Sequence, residues 1–209
     1  MGMNREVLDE WAKRSYEQAR QAQVRGVFSW EIVDILKDTQ KGQHRINLDE
    51  ECQRYFPNSI PVLFPIYSKN GALTAGSSSK LNDGASAMIL MEEEYAKERK
   101  IKPLARIKAY ADTSVAPIDF TIANFRVANQ LLDKTGLTLK DIDFHEIHET
   151  YASVPLANIK LLEIDPSTVN VHGGAVALGH PLGMSGNRIL ISLINTLKIR
   201  NSSLGMATI

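Results

Sequence analysis

Apolar positions in the first 25 residues recur at helical spacing. Val7, Leu8, Trp11, Ala12 and Tyr16 fall near one stripe, which predicts a helix from Asn4 to Arg25 closed by Gly26. The period then changes. From Phe28 to Leu36 the pattern alternates, with Trp30, Ile32 and Leu36 on one face, as in a strand. Lys37 to Gly71 is polar and broken by Pro57, Pro61 and Pro65, which predicts a long excursion with little regular structure. A Gly/Ser stretch, Thr74 to Ser79, leads into Leu81-Asn82-Asp83-Gly84. Ala85 to Met91 is small and apolar, the signature of a fully buried strand, and Glu92 to Lys100 reads as a short charged helix.

Beyond a boundary near Lys100–Pro103 the elements alternate in the α/β manner. The pattern predicts a strand over Leu104–Ala111, a helix over Ala123–Lys134 stopped by Gly136, and a short strand over Ile142–Ile147. Then come a helix over Glu149–Glu163 with Pro155 in its first turns, a helix over Ser185–Ile199, and a last strand over Leu204–Ile209. The fold class is α/β, with halves at residues 1–100 and 101–209. A sheet strand at a bare terminus, without its return partner, implies that part of the sheet lies outside the chain.

Composition narrows the classes. Hydrophobic residues make up 44% and charged residues 23%, ordinary for a globular protein. Lys plus Arg equals Asp plus Glu, 24 against 24, so charge gives no case for nucleic acid or an anionic membrane surface as partner. No apolar run approaches the ~20 residues that span a bilayer. One cysteine, Cys52, excludes an intrachain disulfide and points to a reducing compartment. The start lacks the apolar stretch of a signal peptide, and Asp9 and Glu10 argue against a transit peptide.

Candidate chemistry concentrates in Asn170–Gly186. Five glycines between positions 173 and 186 disfavour regular helix or strand and let backbone pass close to a ligand or another strand. His180 stands between Gly179 and Pro181, a setting for a general base near neutral pH, and Ser185 is a candidate N-cap for the helix that follows. His145-Glu146-Ile147-His148-Glu149 superficially suggests a zinc-protease motif, but its histidines are three apart rather than four.

The segment from Asn170 through Gly173-Gly174-Ala175, Gly179-His180-Pro181 and Gly183-Met184-Ser185-Gly186 resembles the signature of the thiolase family. Thr74–Ala85 is similar to that family's Thr-Ala-x-Asn-Ala-Ser-x-Leu-Asn-Asp-Gly-Ala segment, and His148–Ala152 occupies the place of its Asn-Glu-Ala-Phe motif. Pro117–Phe120 and Ala157–Pro166 resemble the mitochondrial acetoacetyl-CoA branch in particular. The resemblance runs from about Asn4 to Ile209 and corresponds to the latter half of a complete thiolase.

The resemblance implies an incomplete thiolase-type fold of mixed sheets with covering helices. It also implies acyl transfer between CoA thioesters through an acyl-cysteine, either acetoacetyl-CoA synthesis or its thiolysis. His180 matches the histidine that activates the nucleophile, and His148 matches the asparagine that holds an oxyanion-site water. Ser79 matches a serine contacting the pantetheine arm of coenzyme A. Tyr151, in place of phenylalanine, keeps an aromatic wall and adds a hydroxyl that needs a partner if buried. Arg54 is a candidate for the CoA nucleotide. Tyr16, with the backbone carbonyls of Ala75, Gly76, Ser78 and Val176, falls where the mitochondrial enzymes hold a potassium ion.

The family's nucleophilic cysteine lies in its first half, and its second cysteine directly follows a strand like Leu204–Ile209. Neither is in this chain, and Cys52, beside Glu50 and Glu51, reads as an unreactive loop thiol. The expectation is a truncated thiolase chain, not active alone, that forms a homo-oligomer or pairs with an intact thiolase subunit. The alternative is a non-catalytic, CoA-binding or thiolase-partnering homologue. Location is mitochondrial by resemblance, or cytoplasmic if the chain is complete as written.

Overall fold

The computed structural model describes residues 2–54 and 57–209. Helix α1 spans Arg5–Val24, and the Asn4 side chain caps it by accepting from the Val7 N–H. Leu8, Trp11, Ala12 and Tyr16 of the predicted stripe are buried, whereas Val7 is exposed. Leu8 and Trp11 pack with Ile147, Ala152, Val154, Ile159 and Val169, so the first helix is part of the core of the second half. Its other flank, with Ala12, Tyr16 and Ala19, meets Cys52, Ile60, Val176 and Ala177.

The segment predicted as a strand over Phe28–Leu36 folds otherwise. Val27–Trp30 is a 3-10 turn, and strand β1 begins only at Ile35. β1 (Ile35–Thr39) pairs antiparallel with β2 (Gly42–Ile46) in an exposed hairpin, inside the region expected to lack regular structure. That region also holds 3-10 turns at Glu51–Arg54 and Pro57–Val62; positions 55 and 56 lie outside the described residues. Ala85–Met91 and Leu104–Ala111 are not strands. Both run without ladder partners, and Ile89 and Leu104 are 84% and 69% exposed. A fully buried strand needs a neighbour on each side, and neither run finds one among the described residues. Helix α2 (Glu93–Glu98) lies between them.

The remaining elements follow the pattern closely. Helix α3 (Ala123–Thr135) ends at Gly136, whose φ of 66° supplies the left-handed cap. Strand β3 (Phe144–Ile147) pairs parallel with β4 (Gly205–Thr208), His145 opposite Met206, and Val169 adds an isolated bridge beside His145. Helix α4 (Ser153–Leu162) begins later than expected, because residues 149–152 are taken up by the contacts described below. Within the Gly-rich segment a short helix, α5 (Ala175–Leu178), forms where no helix was expected. Helix α6 (Ser185–Arg200) packs on β3 and β4. Met184, rather than Ser185, is its N-cap. Among the described residues, no helix is long and apolar enough to cross a membrane.

Candidate active site

Two histidines meet at the end of the β3–β4 pair. His148 follows β3, where its backbone N–H donates to the Thr208 carbonyl of β4 at 2.9 Å. Asn170 fixes the same edge. Its side-chain oxygen accepts from the Ile147 N–H and its amide donates to the Ile147 carbonyl, both at 2.8 Å, so one side chain imitates a ladder partner. Asn170 sits at φ 47°, a left-handed backbone that asparagine tolerates better than most residues. The His148 ring lies 4.2 Å, centroid to centroid, from that of His180. The structure therefore brings together the two histidines singled out in the sequence.

His180 is held at both backbone and ring. Its N–H donates to the Lys80 carbonyl at 2.8 Å, and Nδ1 is 2.7 Å from the Ser185 hydroxyl. Ser185 donates to the Pro181 carbonyl at 3.1 Å. A hydroxyl has one proton, so with that proton on Pro181 the Ser185 oxygen accepts from Nδ1–H. Nε2 is then left with its lone pair, the form a general base requires. Ser185 thus serves His180 rather than capping α6.

The glycines set how closely these segments approach. At Gly179, with φ 88°, a side chain would overlap the Asn82 amide, and at Gly84 it would stand 2.6 Å from the Pro181 ring. The Leu81–Gly84 stretch and the Gly-His-Pro loop therefore pack backbone on side chain.

Burial sets the electrostatics. His148 is 3% exposed, and desolvation, then the charges of His180 and Arg188, push it down to about 3. It is a neutral imidazole at pH 7, and neither ring nitrogen has a hydrogen-bond partner among the described residues. Burial also lowers His180, with Arg188 adding to the effect. His172 is pushed down to about 4 by burial, with Arg200 and Arg25 contributing less.

Glu149 is a site residue the sequence did not reveal. Its buried carboxylate accepts from Trp11 Nε1 (2.9 Å), Ser15 Oγ (2.7 Å), Asn170 Nδ2 (2.9 Å) and the Val176 N–H (3.2 Å). It joins α1, Asn170 and α5 directly behind His148. A side chain on Gly174 would overlap this carboxylate, which accounts for one of the paired glycines. The only sequence signal was an acidic residue beside His148 in the motif.

Residues 77–79 run antiparallel to 150–152. Ala152 N–H donates to the Ser77 carbonyl at 2.8 Å, and Ser79 donates from both N–H and Oγ to the Thr150 carbonyl at 3.0 Å. The Ser79 oxygen keeps acceptor capacity only. Tyr151 finds the partner its hydroxyl needs in Tyr67, with the two rings edge to face at 5.8 Å. Arg54 pairs with Glu50 at 3.1 Å and Glu51 at 3.8 Å. The hollow at the hairpin tip, lined by residues 39–44, holds none of these groups.

Cys52 is fully buried in the 3-10 turn after Asp49, and its thiol donates to Gln23 Oε1 at 3.0 Å. Burial pushes it up to about 11, with Asp49 the next cause. The expected acidic neighbours, Glu50 and Glu51, are not the ones responsible.

The five groups assigned to potassium do not fit an ion bound among all of them. Lys80 Nζ contacts the Tyr16 hydroxyl and lies 3.3 Å from the Val176 carbonyl, so an ammonium already takes two of the five.

Comparison with known proteins identifies the family. The family model for the thiolase N-terminal domain matches residues 1–94, and that for the C-terminal domain matches residues 101–209. The chain is 46% identical over 197 residues to an acetyl-CoA acetyltransferase of Yarrowia lipolytica, covering 94% of this chain and 50% of that protein. It is 44% identical over 211 residues to the mitochondrial acetyl-CoA acetyltransferase of Rattus norvegicus, covering 100% and 49%. The crystal structure of the Bacillus anthracis acetyl-CoA acetyltransferase superposes with a TM-score of 0.94 at 38% identity, covering 98% of this chain and 52% of that one. The Acat5 thiolase of Ascaris suum, solved in complex with coenzyme A, gives 0.87 at 42% identity, covering 93% and 50%. The chain spans about half the length of the curated relatives it matches. The two family models together cover both halves of the chain, and the chain belongs to the thiolase family.

Proposed function

We propose that this chain forms the histidine-bearing, CoA-facing side of an acetyl-CoA C-acetyltransferase site. The reaction passes an acetyl group between acetyl-CoA molecules, or cleaves a short 3-oxoacyl-CoA with coenzyme A. The observation that carries this is the His180 ring, oriented by Ser185 and set 4.2 Å from the buried ring of His148.

The roles follow from charge and protonation. His180 Nε2 takes the proton of a thiol, and the thiolate attacks a thioester carbonyl. A new carbon–sulfur bond forms, the CoA sulfur leaves, and it carries the proton away from His180. His148 stays neutral, so it offers a hydrogen bond to the oxygen that gains charge without placing a cation beside His180. Ser79 accepts from an amide of the pantetheine arm, Tyr151 walls the channel, and Arg54 is assigned to the nucleotide end. The thiol comes from outside these 209 residues, because Cys52 is buried in a separate cluster and holds its proton to about 11. A thiolase subunit that carries the cysteine would supply it. The mitochondrial relatives support placing the reaction in that organelle.

A second reading is favoured by the same missing thiol: a non-catalytic homologue that binds CoA or partners a thiolase. Calorimetric titration with coenzyme A is expected to give saturable binding, and its absence would overturn the first reading and the CoA-binding form of the second. Thiolysis of acetoacetyl-CoA, assayed with the chain alone and with an intact thiolase subunit added, separates them. Turnover in the mixture above that of the intact subunit by itself, with the excess lost with His180→Ala, supports the catalytic role. Unchanged turnover in that mixture supports the second reading.

A further inference from the structure

Lys80 stands where four segments converge. Its ammonium contacts the Tyr16 hydroxyl of α1 and lies 4.8 Å from the centre of that ring. It is 3.3 Å from the Val176 carbonyl of α5 and 3.5 Å from Oε1 of Glu51, in the 3-10 turn at 51–54. Its own backbone carbonyl receives the His180 N–H at 2.8 Å. Lys80 is half-buried, and burial lowers its pKa while Glu51 works against that shift.

We propose that the Lys80 ammonium acts as a tethered monovalent cation, taking the position that the resemblance assigned to potassium and making the chain indifferent to that ion. Its surroundings are what a small cation calls for: a phenolic oxygen, a main-chain carbonyl, an aromatic face and one carboxylate for charge balance. An ammonium also has three N–H groups to direct at such acceptors. Because it is covalently attached to the residue that accepts the His180 N–H, it fixes α1, α5 and the Glu51 turn relative to the His180 loop at no cost in ion binding. Lys80 is on this account a positioning residue, and no CoA chemistry enters the inference.

The test is thermal unfolding of the full chain in potassium chloride against choline chloride at equal ionic strength. The wild-type midpoint is expected to be the same in both salts within about 1 °C, and a rise of more than about 3 °C specific to potassium would overturn the proposal. Lys80→Ala opens the position. It is expected to lose about 4–8 °C in choline chloride and to recover part of that loss in potassium chloride. An unchanged midpoint, or a loss that potassium does not mend, counts against the ammonium standing in for the ion. Should the variant fail to fold, the wild-type comparison decides alone.

Discussion

Replacing Glu149 by Gln keeps the side chain's shape but turns one of its two acceptor oxygens into a donor. On one side the oxygen meets Trp11 Nε1–H and the Asn170 amide, both donors only. On the other it meets the Val176 N–H and the Ser15 hydroxyl. The glutamine should therefore direct its NH2 toward Ser15, which can rotate to accept, leaving the Val176 N–H facing another N–H. A buried donor left unpaired costs about 1–3 kcal/mol, and the charge-assisted bonds that remain weaken to ordinary ones. Relief from burying a carboxylate offsets part of this, so the net loss is about 2–3 kcal/mol. For a chain of this size that corresponds to a fall of roughly 4–12 °C in Tm. Urea unfolding of wild type and Glu149→Gln, followed by tryptophan fluorescence, measures it, with Trp11 reporting from within the network. A loss below about 0.5 kcal/mol would refute the idea that the carboxylate joins these segments.

Three further outcomes are expected. Gly174→Ala should cost about 2–4 kcal/mol, because its Cβ would overlap the Glu149 carboxylate, whereas Gly183→Ala, with open space around it, should cost under about 1; urea midpoints decide. Glu146 is fully enclosed and burial raises it to about 8, so the native state keeps a proton that an unfolded glutamate releases above 4.5, and stability falls as pH rises between those values. Glu146→Gln should flatten that limb of a Tm-against-pH curve and leave untouched the loss below pH 6.5 contributed by His145, whose burial lowers it to about 4. Ser185→Ala should release the His180 ring, seen by nitrogen NMR as a change from one Nδ1–H tautomer to a mixture of two; an unchanged spectrum would show that the hydroxyl does not set the tautomer.

Much of the second half was legible because its elements bury one face within the chain. α3, β3, α6 and β4 have local periodicity, stop signals such as Gly136, and partners among themselves. Ala85–Met91 and Leu104–Ala111 carry equally clear strand composition, but composition cannot say whether a neighbouring strand is at hand, and the described residues provide none. The β1–β2 hairpin was illegible for the opposite reason: Lys37, Asp38, Gln43, His44 and Arg45 make both faces polar, so no alternation marks it. His180 and His148 could be found from motif spacing. Glu149 and Lys80 could not, since each matters through what residues up to 138 positions away bring to it. Asn170 lay between these cases, visible at the head of a motif while its imitation of a strand partner needed the fold.

The most direct test is mass analysis of the chain after incubation with acetyl-CoA, with peptide mapping for an acetyl thioester. The expected result is an unmodified Cys52 and no release of CoA, because the one thiol among these 209 residues is the buried Cys52, held far above neutral pH. An acetylated Cys52 accompanied by turnover, with no second polypeptide present, would contradict the account.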